Sequence, residues 1–252
     1  MKKSGKKNKK QIGLIAGILG ACGFGLLILL YNLGLTQILL VPTLPEEEQI
    51  KVACVGDSVT YGYGLSNRES NNYPAVLQQK LGNKYHVLNF GVNGHCVQNS
   101  SDKPYTSSEN YELSVSCNAD IVVFMLGSND SKVHNWQGKE VFRTAYYELL
   151  DDYKDSKIIL CTPATAFYID DNGNVTRGDE EKITTFDIQP EVIEEIASIV
   201  RDVSEEKGYP LIEINDLTHK HPEWFTLDGT HPSEDGAKSI AGAVYNKILE
   251  IN

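Results

Sequence analysis

Apolar residues fall along this chain in three different rhythms. From residue 12 to residue 41 they are nearly continuous, interrupted only by small or weakly polar residues such as Asn32, Thr36 and Gln37, and no charge breaks the run. From Lys51 onward, short apolar runs alternate with longer amphipathic stretches. The runs at 51–55, 86–90, 121–126, 157–161 and 211–214 are near-continuously apolar rather than alternating. That pattern predicts strands covered on both faces. Between 163 and 187 no periodicity survives; the stretch is polar (Asp170-Asp171-Asn172-Gly173-Asn174) and reads as a surface excursion.

The amphipathic stretches predict helices. One covers 74–81 and opens with Pro74, suited to a first helical turn. Another covers 140–153, with Val141, Phe142, Tyr146, Leu149 and Leu150 along one side. Over 190–207, Val192, Ile196, Ile199 and Val203 repeat at the helical period and Gly208 supplies the stop. Ser233 can cap a last helix, with Glu234 and Asp235 in its first turn and Ile240, Ala241, Val244, Tyr245 and Ile248 on its buried face. Strands alternating with helices through short connections make an α/β domain, a parallel sheet wrapped by right-handed crossovers. Loops at the carboxyl ends of such strands are where a site is built.

The first rhythm changes the picture of the whole chain. Six lysines (Lys2, Lys3, Lys6, Lys7, Lys9, Lys10) precede it. A charge-free run of 30 residues is long enough to span a bilayer as a helix. Lysines before it put the N-terminus in the cytoplasm and the following domain outside the cell membrane. The organisation expected is a basic tail (1–11), a transmembrane signal anchor (12–41), a linker with Pro42 and Pro45 (42–50) and one domain (51–252). Two rival readings are a cleaved signal peptide and a lipoprotein modified at Cys22, since Leu19-Gly20-Ala21-Cys22 has the shape of a lipidation site. Apolar sequence continuing past Cys22 favours the uncleaved anchor.

Charge narrows the partners. The net charge of −11 conceals the basic head. Without those six lysines, 17 basic residues face 34 acidic ones, a balance of −17. So acidic a domain argues against nucleic acid or anionic lipid as its partner. Of the five cysteines, Cys54 and Cys161 sit in apolar runs and read as core. Cys96 and Cys117 fall in polar segments and are read either as a disulfide or as two free thiols.

Candidate chemistry gathers in four short segments. Gly56-Asp57-Ser58-Val59 follows the first strand run, Asn89-Phe90-Gly91-Val92-Asn93-Gly94 the second, and Gly127-Ser128-Asn129-Asp130 the third; Asp228-Gly229-Thr230-His231-Pro232 precedes the last helix. Taken singly, each is an ordinary turn. Together they hold a nucleophile (Ser58), a base (His231), an acid to orient it (Asp228) and donors for an oxyanion (Ser58 N–H, Gly94 N–H, the Asn129 amide). That set suffices for acyl transfer through a covalent intermediate. Asp57, His95 and Trp136 are nearest the site by sequence and are candidate substrate contacts. No cluster among His86, His95, His134, His219 and His221 has metal-ligand spacing, and the chemistry calls for no metal or cofactor.

The four segments, in this order and at similar spacing, resemble the SGNH (GDSL-type) hydrolases over residues 51 to 251. Val59 stands where leucine is usual, and His95 follows Gly94 where many members have aspartate. The resemblance implies a three-layer α/β/α sandwich with a central, mostly five-stranded parallel sheet. It assigns Ser58 as nucleophile, Asp228 and His231 as acid and base, and Ser58, Gly94 and Asn129 to the oxyanion hole. It further implies a serine esterase. The segments around Asn135-Trp136 and His221-Pro222-Glu223-Trp224-Phe225 look like its carbohydrate-esterase and lysophospholipase-like branch. An outward-facing domain tethered to a membrane meets glycans, so an acetylated glycan is the expected substrate. A lysophospholipase or thioesterase, an acyltransferase using the same residues, and a non-catalytic carbohydrate-binding module are the alternatives.

Overall fold

The computed structural model describes residues 49–169, 175–176 and 184–251. The basic tail, the expected membrane span and nearly all of the linker lie outside the described residues. No helix among the described residues is long and apolar enough to cross a membrane.

The elements run β1 (Ile50–Gly56), α1 (Ser58–Tyr61), α2 (Arg68–Asn71), α3 (Tyr73–Leu81), β2 (Tyr85–Gly91), α4 (Glu109–Ser116), β3 (Ile121–Met125), α5 (Lys139–Asp151), β4 (Lys157–Cys161), β5 (Tyr168–Ile169), β6 (Val175–Thr176), α6 (Pro190–Lys207), β7 (Leu211–Ile212), α7 (Ile214–His219) and α8 (Glu234–Ile251). Five strands form one sheet in the order β2-β1-β3-β4-β7, every pairing parallel. β5 and β6 make a separate antiparallel pair.

The near-continuous apolar runs explain why both faces of the sheet are covered. Val52, Cys54, Ile121, Val123, Ile159 and Cys161 point to one face, where Leu77 of α3 and Ile240, Val244 and Ile248 of α8 close over them. Their alternates, Ala53, Val55, Val122, Phe124, Ile158 and Leu160, meet α5 and α6 through Phe142, Tyr146, Ile196, Ile199 and Val203. Three layers follow directly. Phe124 is completely buried between the rings of Tyr146 and Tyr153, 5.3 and 6.1 Å away. Truncating such a side chain costs about 3–5 kcal/mol.

The sheet order sets the position of the site. The chain leaves β1 for β2 on one side, then returns to lay β3 against the other side of β1. Connections from neighbouring strands therefore diverge at the carboxyl end of β1, which opens a crevice there.

Two boundaries depart from the expectation. Strand β7 stops at Ile212, and Ile214 begins α7. Ile214 is fully buried either way, and an apolar run alone does not separate a buried strand from a buried helix. Helix α4 went unread because its Glu109-Asn110-Tyr111-Glu112-Leu113-Ser114-Val115-Ser116 sequence buries only Ser114. Cys96 and Cys117 are free thiols, so the disulfide alternative is not formed. Cys96 Sγ instead lies 3.4 Å from Asn135 Nδ2, and Cys117 Sγ donates to the Ser114 carbonyl.

Candidate active site

Strand β1 delivers the chain to Asp57, whose Oδ1 accepts from the Val59 N–H at 2.9 Å and caps α1. This helix is one turn long, ending at Gly62 in the left-handed conformation (φ 88°). Ser58 is its first residue, so its N–H has no carbonyl partner within the helix and points outward. The close seat of α1 depends on Gly91 at the end of β2: a Cβ there would lie 2.1 Å from the Tyr61 backbone nitrogen.

The turn before α8 meets Ser58 from the other side. Asp228 Oδ1 accepts from the backbone N–H groups of Thr230 (2.9 Å) and His231 (2.8 Å), which curls the turn. Asp228 Oδ2 lies 2.8 Å from His231 Nδ1, and His231 Nε2 lies 2.9 Å from Ser58 Oγ. An ionised carboxylate only accepts, so Nδ1 carries the hydrogen and Nε2 is left to accept from the serine hydroxyl. Burial works to raise the Asp228 carboxyl, but the His231 side chain and the two backbone N–H groups outweigh it and hold the acid well below the usual carboxylate range. The imidazole is 5 % exposed. Tyr63 and Phe186 flank it, with ring centroids 4.5 and 5.1 Å away.

The loops after β2 and β3 complete the site. Gly94 adopts φ 79°, a conformation that strains any residue with a Cβ, and its N–H donates to no protein acceptor among the described residues. Asn129 opens a short 3₁₀ turn after β3. Its side-chain Nδ2 donates to the His95 carbonyl at 3.2 Å, which leaves the second amide hydrogen. Asp130 ties the two loops together, accepting from the Val97 and Gln98 N–H groups at 2.9 Å each and from Gln98 Nε2. A cleft of about 170 Å³ lies over these groups, with Ser58, Gly94, Asn129 and His231 in its wall.

All five residues read as catalytic or oxyanion-binding therefore converge. The three candidate substrate contacts do not line the cleft. Asp57 is 1 % exposed and spends its carboxylate on capping α1; burial holds that carboxyl above its ordinary value, against the pull of the Val59 N–H and of Ser128. His95 contributes its main-chain carbonyl, which steadies Asn129, while its own Nδ1 turns to the Asn93 carbonyl at 3.0 Å. Trp136 packs against Phe142 of α5, centroids 6.1 Å apart. The cleft is bordered instead by Tyr63, Lys103, Lys132, Phe186 and Ile188. Only Lys132 carried a local signal, three residues after Asn129. Phe186 and Ile188 belong to the end of the polar excursion, where the Thr185 hydroxyl donates to the Asp228 carbonyl and Gln189 Nε2 to the Ser131 carbonyl.

Residues 54–238 match the GDSL-like lipase/acylhydrolase family, and the chain belongs to it. An acetylxylan esterase from Xylanibacter ruminicola is 33 % identical over 218 residues, which cover 78 % of this chain and 42 % of that protein. The chain thus spans less than half the length of this relative. Among solved structures, a lipase/acylhydrolase from Enterococcus faecalis superposes with a TM-score of 0.63 at 21 % identity, covering 80 % of this chain and 96 % of its own. A carbohydrate acetylesterase from Sinorhizobium meliloti gives 0.64 at 16 % identity, covering 81 % of this chain and all of the other. At these identities the two structures speak for the fold. The family is one of carboxylic ester hydrolases.

Proposed function

We propose that this protein is a serine esterase that removes short acyl groups, acetyl first among them, from carbohydrate. The observation that carries the reading is the unbroken relay from Asp228 through His231 to Ser58, 2.8 and 2.9 Å long. Ser58 Oγ attacks the ester carbonyl carbon as its proton passes to His231 Nε2. The carbonyl oxygen becomes an oxyanion, held by the N–H groups of Ser58 and Gly94 and by the Asn129 amide, each contributing on the order of 3 kcal/mol. His231 returns the proton to the departing sugar oxygen, leaving an acetyl-serine. Water then attacks that ester, with His231 again taking and returning a proton, and acetate leaves. Asp228 fixes the tautomer and stabilises the imidazolium throughout.

The size of the cleft supports a short acyl group. Its volume of about 170 Å³ has room for an acetyl group and part of a sugar. The acetylxylan esterase relative points the same way on the substrate. An intact relay favours a working enzyme over a binding module. The charge-free run at 12–41 behind six lysines supports a single-pass anchor with the esterase domain outside the cell.

Hydrolysis of 4-nitrophenyl acetate and 4-nitrophenyl octanoate by the full-length protein tests the reading. Acetate is expected to turn over much faster than octanoate. Ser58→Ala is expected to lower kcat/KM at least about 10³-fold, and Asp228→Asn by about 10⁴-fold through the wrong imidazole tautomer. Full activity in Ser58→Ala would sink the esterase assignment, and a preference for octanoate would turn it toward lipid.

A further inference from the structure

Outside its basic head this is a strongly acidic chain, yet among the described residues no acidic side chain lines the cleft over Ser58, and two lysines do. Lys103 stands against the oxyanion loop: a Cβ built on Gly94 would lie 3.7 Å from Lys103 Nζ. Lys132 follows the turn that carries Asn129. Both stems start from fixed backbone. The Lys103 carbonyl accepts from the Cys96 N–H at 2.9 Å, and the Lys132 carbonyl accepts from the N–H groups of Asn135 and Trp136. Neither ammonium has a hydrogen bond or an ion pair with the described residues.

Asp102 precedes Lys103 in the chain and interacts with the Lys132 charge. Burial works to raise it, but Asn135, His134 and Lys132 together hold it below its ordinary value. Its Oδ1 accepts from Asn135 Nδ2 at 2.9 Å, and Oδ2 lies 3.6 Å from His134 Nε2. Asp102 is thus engaged by His134 and Asn135 of the loop after β3, and Lys132, with no ion pair to it, lines the cleft. The transient oxyanion already has three N–H donors in fixed positions. Two ammonium groups on flexible stems, beside a strongly acidic surface, suit a different target: a charge permanently carried by the substrate.

We propose that the sugar whose ester this enzyme cleaves is anionic, bearing a carboxylate or a phosphate on the acylated unit or its neighbour. Lys103 and Lys132 select it by ion pairing at the edge of the cleft. The proposal rests on the esterase reading and names its substrate class. A neutral acetylated glycan of the same size loses both ion pairs and gains nothing in their place. An anionic one also approaches an acidic domain past the two lysines that line the cleft among the described residues.

The test uses matched esters that differ only in charge. O-acetylated galacturonide oligomers are compared as free acids and as methyl esters, and an O-acetylated hexose 6-phosphate is compared with the same hexose lacking phosphate. In the full-length wild type, kcat/KM is expected to favour the charged member of at least one pair by about tenfold at low salt, and that margin should shrink as salt is raised. The pair that shows the margin identifies carboxylate or phosphate as the anion. Lys103→Met combined with Lys132→Met should erase most of the margin, and arginine at both positions should keep it. Absence of a margin in both pairs overturns the proposal. So does a double methionine variant that slows charged and neutral esters alike, because that result assigns the lysines to the oxyanion instead. Failure of the esterase reading itself would appear as no turnover of 4-nitrophenyl acetate. The anion site is then read by titrating unacetylated oligogalacturonate and hexose 6-phosphate into Ser58→Ala. A Kd about tenfold weaker with both methionines upholds the site, and no change removes it.

Discussion

Asn129 shows how much a single side chain here depends on its neighbours' main chain. One amide hydrogen is spent on the His95 carbonyl, and the other remains for the cleft that Asn129 and Ser58 both line. Asn129→Ala removes a donor and leaves the Ser58 and Gly94 N–H groups in place. The expected outcome is a fall in kcat of about a hundredfold or more with a much smaller change in KM, because the bond is made to charge that develops only in the transition state. Steady-state kinetics on 4-nitrophenyl acetate checks it; a variant whose KM rises while kcat holds would make Asn129 a ground-state contact. At this scale the sequence was readable wherever chemistry demands one residue type. A hydroxyl and an amide after apolar runs, and a carboxylate and an imidazole three apart before the last helix, declare themselves. Asp57, His95 and Trp136 did not, since nearness in sequence to a catalytic residue says nothing about which way a side chain points. Asp57 turns back to cap its own helix, and Trp136 turns into the layer beneath.

The elements that matter most to the site are among the shortest. Helix α1 is four residues long and too short to hold itself together. It stays in place because the ends of β1 and β2 close around it, and Gly91 allows that approach. Gly91→Ala would drive a methyl group into the Tyr61 backbone nitrogen, which is not the movable end of a side chain. We expect a loss of about 2 kcal/mol or more, seen as a drop in Tm of about 4–8 °C, with esterase activity falling further than the residual folded fraction explains. A variant with unchanged Tm and activity would mean that α1 has more room than its geometry indicates. The long elements were legible for the opposite reason. Helix α6 spans residues 190–207 as its periodicity predicts, because its apolar stripe has to face Phe142 and Tyr146 across the layer. Helices α1 and α4 have little apolar stripe to read, and Ile214 switched from strand to helix because full burial erases the period that tells them apart.

At the scale of the molecule, burying charge beneath a polar site has a thermodynamic signature. Asp130 is completely buried, and desolvation pushes its carboxyl up to about 7, against the pull of the Gln98 and Val97 N–H groups and the Gln98 side chain and with a further push from Asp57. A raised carboxyl stabilises the fold fully below its unfolded value near 4 and loses that contribution as pH climbs through about 7, since the folded state is the one that holds the proton. Asp130→Asn is neutral at every pH and pays a constant cost for setting an amide against a backbone N–H. The margin of wild type over Asp130→Asn in thermal unfolding should therefore narrow between pH 4 and pH 8, by on the order of a few kcal/mol. A margin that stays level would mean the carboxylate is ionised throughout, satisfied by its three donors.

The relay joins residues 173 positions apart, and both of its later members arrive just before α8. A nascent chain exposes its serine early and remains inert for most of its synthesis, because neither proton acceptor nor orienting acid has yet been translated. Catalytic competence thus begins only when the domain is nearly complete, and a chain that stops short of residue 231 carries a hydroxyl with no base beside it.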